Sequence, residues 1–126
     1  MSYRNFDASK RKSALPKTHF VSGKVYSSKS IFEKEKEKIF FYTWHFVCHE
    51  SEISNSGDFV KFDILKESVL VIRAKDGSVN AMHNVCKHRG TQLIQDRRGN
   101  IKDMITCPYH AWSYHLNGKL RHAPRS

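Results

Sequence analysis

Cys86-Lys87-His88-Arg89-Gly90 and Cys107-Pro108-Tyr109-His110 are the two stretches that decide the fold. Each offers one thiol and one imidazole at close range, in the patterns Cys-x-His and Cys-x-x-His. Working outward, both sit among strand and turn signals. Gly57 opens a β region, in which Asp58 to Ile64 alternates Phe59, Lys61 and Asp63 with Val60, Phe62 and Ile64. Lys66-Glu67-Ser68 reads as a turn, and Val69 to Arg73 as a second strand. Asp76-Gly77 is a two-residue hairpin signal that returns the chain along Val79 to Asn84. Ile101 to Thr106 is the strand between the two stretches. Ala111 to His115 and Lys119 to Arg121 flank a further hairpin signal, Asn117-Gly118. The two Cys/His stretches therefore lie at hairpin tips, where two loops can face one another.

Ahead of this region, Ser30-Ile31-Phe32-Glu33 has the form of a capping box. It predicts a helix running to about Val47, with Phe40, Trp44 and Val47 on one face and Phe32 and Ile39 near it. The alternating Glu33–Lys38 run forms the solvated side, helped by Glu33–Lys36 and Glu35–Lys38 pairs. Residues 1–27 are polar and basic and read as an arm. The organisation expected is an arm at 1–27, a leader helix at 28–50 and a β domain at 51–126.

The mixed half-sites point to a specific chemistry. Two Cys and two His are the ligand set of a Rieske-type 2Fe–2S cluster, in which imidazoles replace two thiolates on one iron. This replacement removes negative charge and raises the potential to roughly −150 to +300 mV. Candidate ligands are Cys86, His88, Cys107 and His110. The alternative is zinc, but structural zinc sites usually pair Cys with Cys and His with His. Around the ligands, Gly90 allows a tight turn. Tyr109 and Trp112 can exclude water and present polar tips, and Arg89 can offset the extra electron of a reduced centre. His19, His45, His49, His83, His115 and His122 lie outside this spacing.

Bulk properties narrow the setting. The 126 residues suit one domain, and the eight Phe, five Tyr and two Trp suit a compact β-rich core. The formal charge of +10 is scattered or interleaved with Glu, which argues against a nucleic-acid module and leaves a basic face able to steer an acidic electron-donor protein. Three cysteines are too few for a disulfide scaffold. Cys48 reads as a small buried hydrophobe. The longest aliphatic run is Val69-Leu70-Val71-Ile72, too short for a membrane span, and no secretory signal is visible; a cytoplasmic setting is expected.

Cys86 to Gly90 and Cys107 to Tyr114 resemble the Rieske domain of the Rieske non-haem iron oxygenases, the ring-hydroxylating oxygenase large subunits. So do Glu37-Lys38-Ile39-Phe40, Trp44-His45-Phe46-Val47, His49 to Ile53, Gly57-Asp58-Phe59, Val69 to Arg73, Asp76-Gly77 and His83-Asn84-Val85. The resemblance covers roughly residues 25–124. It implies a mainly β, antiparallel Rieske fold with cluster-binding hairpin loops behind an N-terminal helix. It also implies Cys86 and Cys107 on one iron and His88 and His110 on the other. Electrons would come from a reductase or ferredoxin and pass to a mononuclear Fe(II) that activates oxygen, in a homotrimer when full length. Respiratory Rieske proteins carry two further cysteines near the positions of Thr91 and Tyr109, and their absence points to the oxygenase-and-ferredoxin branch. Ala111 stands where the family commonly has Gly. The chain reads as the N-terminal part of such a subunit, with the domain cut short and the catalytic iron domain absent. A stand-alone Rieske ferredoxin is the second reading, disfavoured by the leader helix.

Overall fold

The period-two alternation after Gly57 folds as expected, into the first two strands of an antiparallel sheet. The computed structural model describes residues 21–124. Strand β1 (Asp58–Ile64) pairs with β2 (Glu67–Arg73) from Phe59↔Ile72 to Ile64↔Glu67. The turn between them is tighter than expected: Leu65 takes φ 56°, so Glu67 and Ser68 already belong to β2. The Asp76-Gly77 turn forms, with Gly77 at φ 84° and the Asp76 carboxylate accepting from Ser78 N at 3.0 Å. It leads into β3 (Val79–His83), which pairs with β2. On the other edge β1 pairs with β4 (Arg98–Asn100), giving the order β3-β2-β1-β4.

A second antiparallel sheet contains β5 (Ile105–Thr106), β6 (Ser113–Tyr114) and β7 (Leu120–His122), in that order. Asn117-Gly118 closes its second hairpin, with Gly118 at φ 81°. Residues of both sheets meet in one core: Phe59, Leu70, Ile72 and Ala74 from the first, Ile105, Tyr114 and Leu116 from or beside the second, with Cys86, Leu93 and Cys107 among them. Leu70 and Ile72 are wholly buried, each contributing about 1.5–3 kcal/mol. Both motif cysteines are thus core residues before they are anything else.

Three expectations are corrected. The strand expected over Ile101–Thr106 is confined to Ile105–Thr106, and β4 forms where no alternation announced it. Gly99 explains β4: a Cβ there would meet the Phe59 ring, Cε1 at 2.9 Å, so only glycine lets the strand lie over that ring. The helix expected from Ser30 to Val47 is shorter and broken. It consists of a turn, α1 (Lys24–Ser27), then α2 (Lys29–Glu35), which runs into a π-helical turn over Lys36–Phe40. Beyond it Thr43 turns both its N–H and its hydroxyl onto the Ile39 carbonyl, each at 3.0 Å, and Trp44 is fully exposed. The run Phe40-Phe41-Tyr42-Thr43-Trp44 consists of aromatic and β-branched residues, which lose side-chain freedom in a helix, and local hydroxyl bonding competes with its continuation.

The capping box is corrected as well. Ser28 is the N-cap of α2, without a side-chain cap bond, and its hydroxyl meets that of Ser30 at 2.9 Å. Of the expected helix pairs, Glu33–Lys36 is an ion pair. A capping arrangement appears instead at His49, where Nδ1 accepts from Ser51 N and Glu52 Oε1 accepts from His49 N at 2.8 Å. It starts a 3-10 turn, Glu50–Ile53, held to β2 by Arg73, which donates to Ile53 O at 2.8 Å and to Glu50 Oε1 at 3.0 Å. The chain divides into two compact units, one ending at Thr43 and one starting at Trp44. The basic arm lies outside the described residues up to position 20.

Gly57 locks β1 to the segment after β4. It donates to Arg73 O at 2.8 Å and accepts from Ile101 N at 2.9 Å, at φ 88°, and a Cβ there would collide with the Ile101 carbonyl. We expect Gly57→Ala to lower stability by at least about 2 kcal/mol, from left-handed strain plus the clash, as read by chemical denaturation.

Candidate metal centre

The two Cys/His stretches form a pair of knuckles built on one plan. In the first loop, Cys86 N donates to Thr91 O at 2.8 Å and Gly90 N donates to Cys86 O at 2.9 Å. In the second, Cys107 N donates to Trp112 O at 2.8 Å and Ala111 N donates to Cys107 O at 3.1 Å. In each, the cysteine starts the turn, the fifth residue takes positive φ (Gly90 72°, Ala111 57°) and the sixth returns its carbonyl to the cysteine. The shared plan aims both thiols inward and both imidazoles toward the tips.

The four sequence-selected donors accordingly divide into two pairs. Cys86 and Cys107 are buried in the same core cluster, 2% and 3% exposed. The His88 and His110 rings lie 4.8 Å apart, edge to face, half-buried at the tips. Among the described residues no three His, Cys, Asp or Glu side chains gather round a single ion position. A tetrahedral zinc ion needs all its donors round one point. A thiol pair beside an imidazole pair is what two irons of one small cluster require.

Two further observations test the fit. His110 Nδ1 is buried with no hydrogen-bond partner among the described residues. An orphaned buried nitrogen is costly, on the order of 1–3 kcal/mol, unless it binds a metal. Burial pushes the His110 pKa down, helped by His88 and the Arg89 charge, so the ring is kept neutral as a ligand must be. At the other end burial works to raise the Cys86 pKa. Hydrogen bonds from Tyr114, from the backbone of His88 and Arg89 and from Cys107 outweigh it, so the thiol titrates below its usual range. The residues fit a two-thiolate, two-imidazole cluster.

The neighbours partly follow expectation. Trp112 lies flat on His88, centroids 4.8 Å apart and planes 4° from parallel. Its Nε1 is buried without a partner among the described residues, so the expected hydrogen bond from that tip is not made there. Tyr109 leans on His110 at 3.7 Å but is 57% exposed, so it covers one side only. Arg89 is exposed and acts on His110 through its charge. Elsewhere, His49 caps a turn, His83 faces Glu67 at 3.5 Å and His45 packs on Phe62. His19 lies outside the described residues. Cys48 is half-buried beyond the helical segment, its thiol pushed up first by burial and then by Glu52.

Sequence reasoning missed Tyr114 and Asn84. Buried Tyr114 has its Oη 3.2 Å from Cys86 Sγ and accepts from Lys87 N at 3.0 Å. Either group can donate in the Tyr114–Cys86 contact, and Tyr114 is the donor whenever the sulfur is a thiolate, which has no proton to give. Asn84 is almost wholly buried, and its amide bonds Ile94 across the foot of the first loop. The available signal was a polar residue at the inward-facing end of a strand, just ahead of the loop.

The sequence pattern of the Rieske [2Fe-2S] domain matches residues 43–126. Over 103 residues the chain is 43% identical to the carnitine monooxygenase oxygenase subunit of Escherichia coli (strain K12), covering 82% of this chain and 27% of that one. Over 124 residues it is 38% identical to the large oxygenase component of the 2,4-dinitrotoluene dioxygenase system of Burkholderia sp. (strain RASC), covering 98% and 26%. The apo crystal structure of the quaternary ammonium Rieske monooxygenase CntA superposes with a TM-score of 0.77 at 41% identity, covering 81% of this chain and 29% of that one. The chain thus spans about a quarter of the length of the relatives it matches. Among the described residues no helix is long and apolar enough to cross a membrane.

The matched plan of the two knuckles singles out Ala111, which holds with a Cβ the left-handed conformation that Gly90 holds without one. We expect Ala111→Gly to stabilise the protein by about 1 kcal/mol and Gly90→Ala to destabilise it by a similar amount, as shifts in the denaturation midpoint.

Proposed function

The chain belongs to the Rieske [2Fe-2S] domain family, and from that premise we propose that it is the electron-transfer domain of an oxygenase large subunit. Cys86 and Cys107 would hold one iron and His88 and His110 the other, within a Rieske domain taken as residues 51–126. The observation that carries the assignment is the division of the donors into a buried thiol pair and a half-exposed imidazole pair 4.8 Å apart. When bound, the cluster supplies one-electron transfer at a potential above that of an all-cysteine centre.

The residues of the chain divide the work. Cys86 and Cys107 anchor the core side of the site, away from water. Tyr114 donates to the Cys86 sulfur and so favours added negative charge there. Trp112 fixes the plane of His88 by stacking. Arg89 and Lys87, both exposed, set a positive border round the imidazole edges. With the cluster bound, electrons would come from a reductase or ferredoxin, and the half-exposed imidazole side would be the edge open to a partner. Their destination would be a mononuclear non-haem iron that the residues described do not form, in a homotrimeric cytoplasmic oxygenase.

Chemical analysis of the purified protein tests the cluster: about two irons and two acid-labile sulfides per chain are expected, and zinc without sulfide would overturn the reading. His110→Cys should keep a cluster but lower its potential by on the order of 100 mV or more, as a neutral ligand becomes an anion. Tyr114→Phe should lower it by on the order of tens of millivolts, since a hydrogen bond to a charged sulfur strengthens on reduction. Redox titration reads both; no downward shift for His110→Cys would count against the ligand assignment.

A further inference from the structure

The two cluster loops share a plan but not a foundation. The second stands on a regular rung of sheet, since β5 and β6 pair through Thr106↔Ser113 and Ile105↔Tyr114 directly below Cys107. Below Cys86 there is only an isolated bridge, Val85↔Gln92, and no strand pair beneath it. The next residue down, Asn84, has committed its backbone elsewhere: its N–H donates to Ser68 O, in β2, at 2.8 Å. Its side chain takes over the missing rung. Nδ2 donates to Ile94 O at 2.7 Å, and Oδ1 accepts from Ile94 N at 2.9 Å, the pair of bonds a backbone amide pair would exchange. Ser68 completes the device. Its hydroxyl donates to Asp63 Oδ1 at 2.6 Å and accepts from Asn84 Nδ2 at 3.2 Å and Gln92 Nε2 at 3.5 Å, which uses its one proton and both lone pairs.

We propose that Asn84 and Ser68 form a polar clamp that closes the foot of the first loop and thereby fixes the orientation of Cys86 and His88. Both are positioning residues, acting through the loop rather than by contact with the metal. Asn84 is 2% exposed, so its amide sits inside the fold while its bonds to Ile94 and Ser68 are part-buried, where a hydrogen bond holds geometry more firmly than in water. The clamp reaches both ends of the loop, Asn84 at its start and Gln92 with Ile94 at its finish. Opening it frees Cys86 and His88 as a unit while leaving Cys107 and His110 on their strand rung. The proposal rests on the reading of these residues as cluster ligands.

The test uses the purified holoprotein with Ser68→Ala, Ser68→Thr, Asn84→Ala and, as a control, Ile53→Ala, which opens a core position in a different segment. Three readouts are taken well below the melting temperature: the rate of iron loss to a chelator, the midpoint potential and the EPR spectrum of the reduced cluster. Ser68→Ala and Asn84→Ala should release iron at least tenfold faster and shift both potential and spectrum. Ser68→Thr, which keeps the hydroxyl, should match the parent protein. Ile53→Ala should lower the melting temperature without moving the three readouts. If Asn84→Ala does not fold, the Ser68 pair alone decides. Equal iron loss, potential and spectrum in Ser68→Ala and the parent, or equal effects from Ile53→Ala, would overturn the clamp. A parent protein without any iron–sulfur EPR signal would overturn the cluster reading instead.

Discussion

On the proposed assignment, the domain from Trp44 onward answers to one constraint: four side chains from two separate loops are held as two unlike pairs, a buried pair of cysteines and a half-buried pair of histidines. The thiols meet the first half by being core residues. Cys86 and Cys107 pack with Leu70, Ile72, Ile105 and Tyr114, so apolar burial that stabilises the fold also assembles the thiol pair. Burial alone would favour the protonated thiol at Cys86. Donors aimed at Cys86 from Tyr114 and from the His88 and Arg89 backbone reverse this. The hydrophobic effect brings both cysteines into one core, and hydrogen bonds at Cys86 favour the thiolate that the proposed ligand role needs.

The imidazoles meet the second half by standing at the ends of tight turns. A cysteine-initiated knuckle with a positive-φ fifth residue fixes where the intervening histidine points, and the one-residue difference between Cys-x-His and Cys-x-x-His lets two rings of different origin meet. Glycine makes that turn without strain in the first loop, and alanine makes it with strain in the second. The strained turn is the one on a regular strand pair. The unstrained turn is the one on a single bridge and a side-chain clamp. Each loop has one strong and one weak support, and the weak one differs between them.

Much of this was legible in the sequence. The alternation from Asp58 and the Asp76-Gly77 and Asn117-Gly118 turns each act through local chemistry, and each formed where expected. What failed depended on non-local facts. The apolar stripe through Phe40, Trp44 and Val47 has helical spacing, yet the backbone leaves the helix at Phe40 because aromatic and β-branched residues follow one another there. Strand β4 has no pattern of its own, since Arg98-Gly99-Asn100 is recruited by the free edge of β1 and the flat Phe59 ring. Tyr114 and Asn84 escaped notice because their partners, Cys86 and Ile94, become partners only after the loops close. A single polar residue in an apolar context shows that a bond is made, not with what.

The charge of the tips follows from the same division. Neither loop carries a carboxylate between Cys86 and Gln92 or between Cys107 and Trp112, whereas Lys87 and Arg89 flank His88. At the buried end, extra negative charge on the sulfurs is met by hydrogen bonds, since a counter-ion there would need burial of its own. At the half-exposed end, cations serve the same purpose at lower cost because they remain in water. The price of that economy is screening: cations at the surface weaken with salt, whereas the Tyr114 hydrogen bond, buried, does not. On the proposed assignment, the part of the potential set at the sulfurs is therefore intrinsic to the fold. The part set at the histidines responds to whatever faces them, and an electron partner approaching that edge changes the energetics of the transfer it receives.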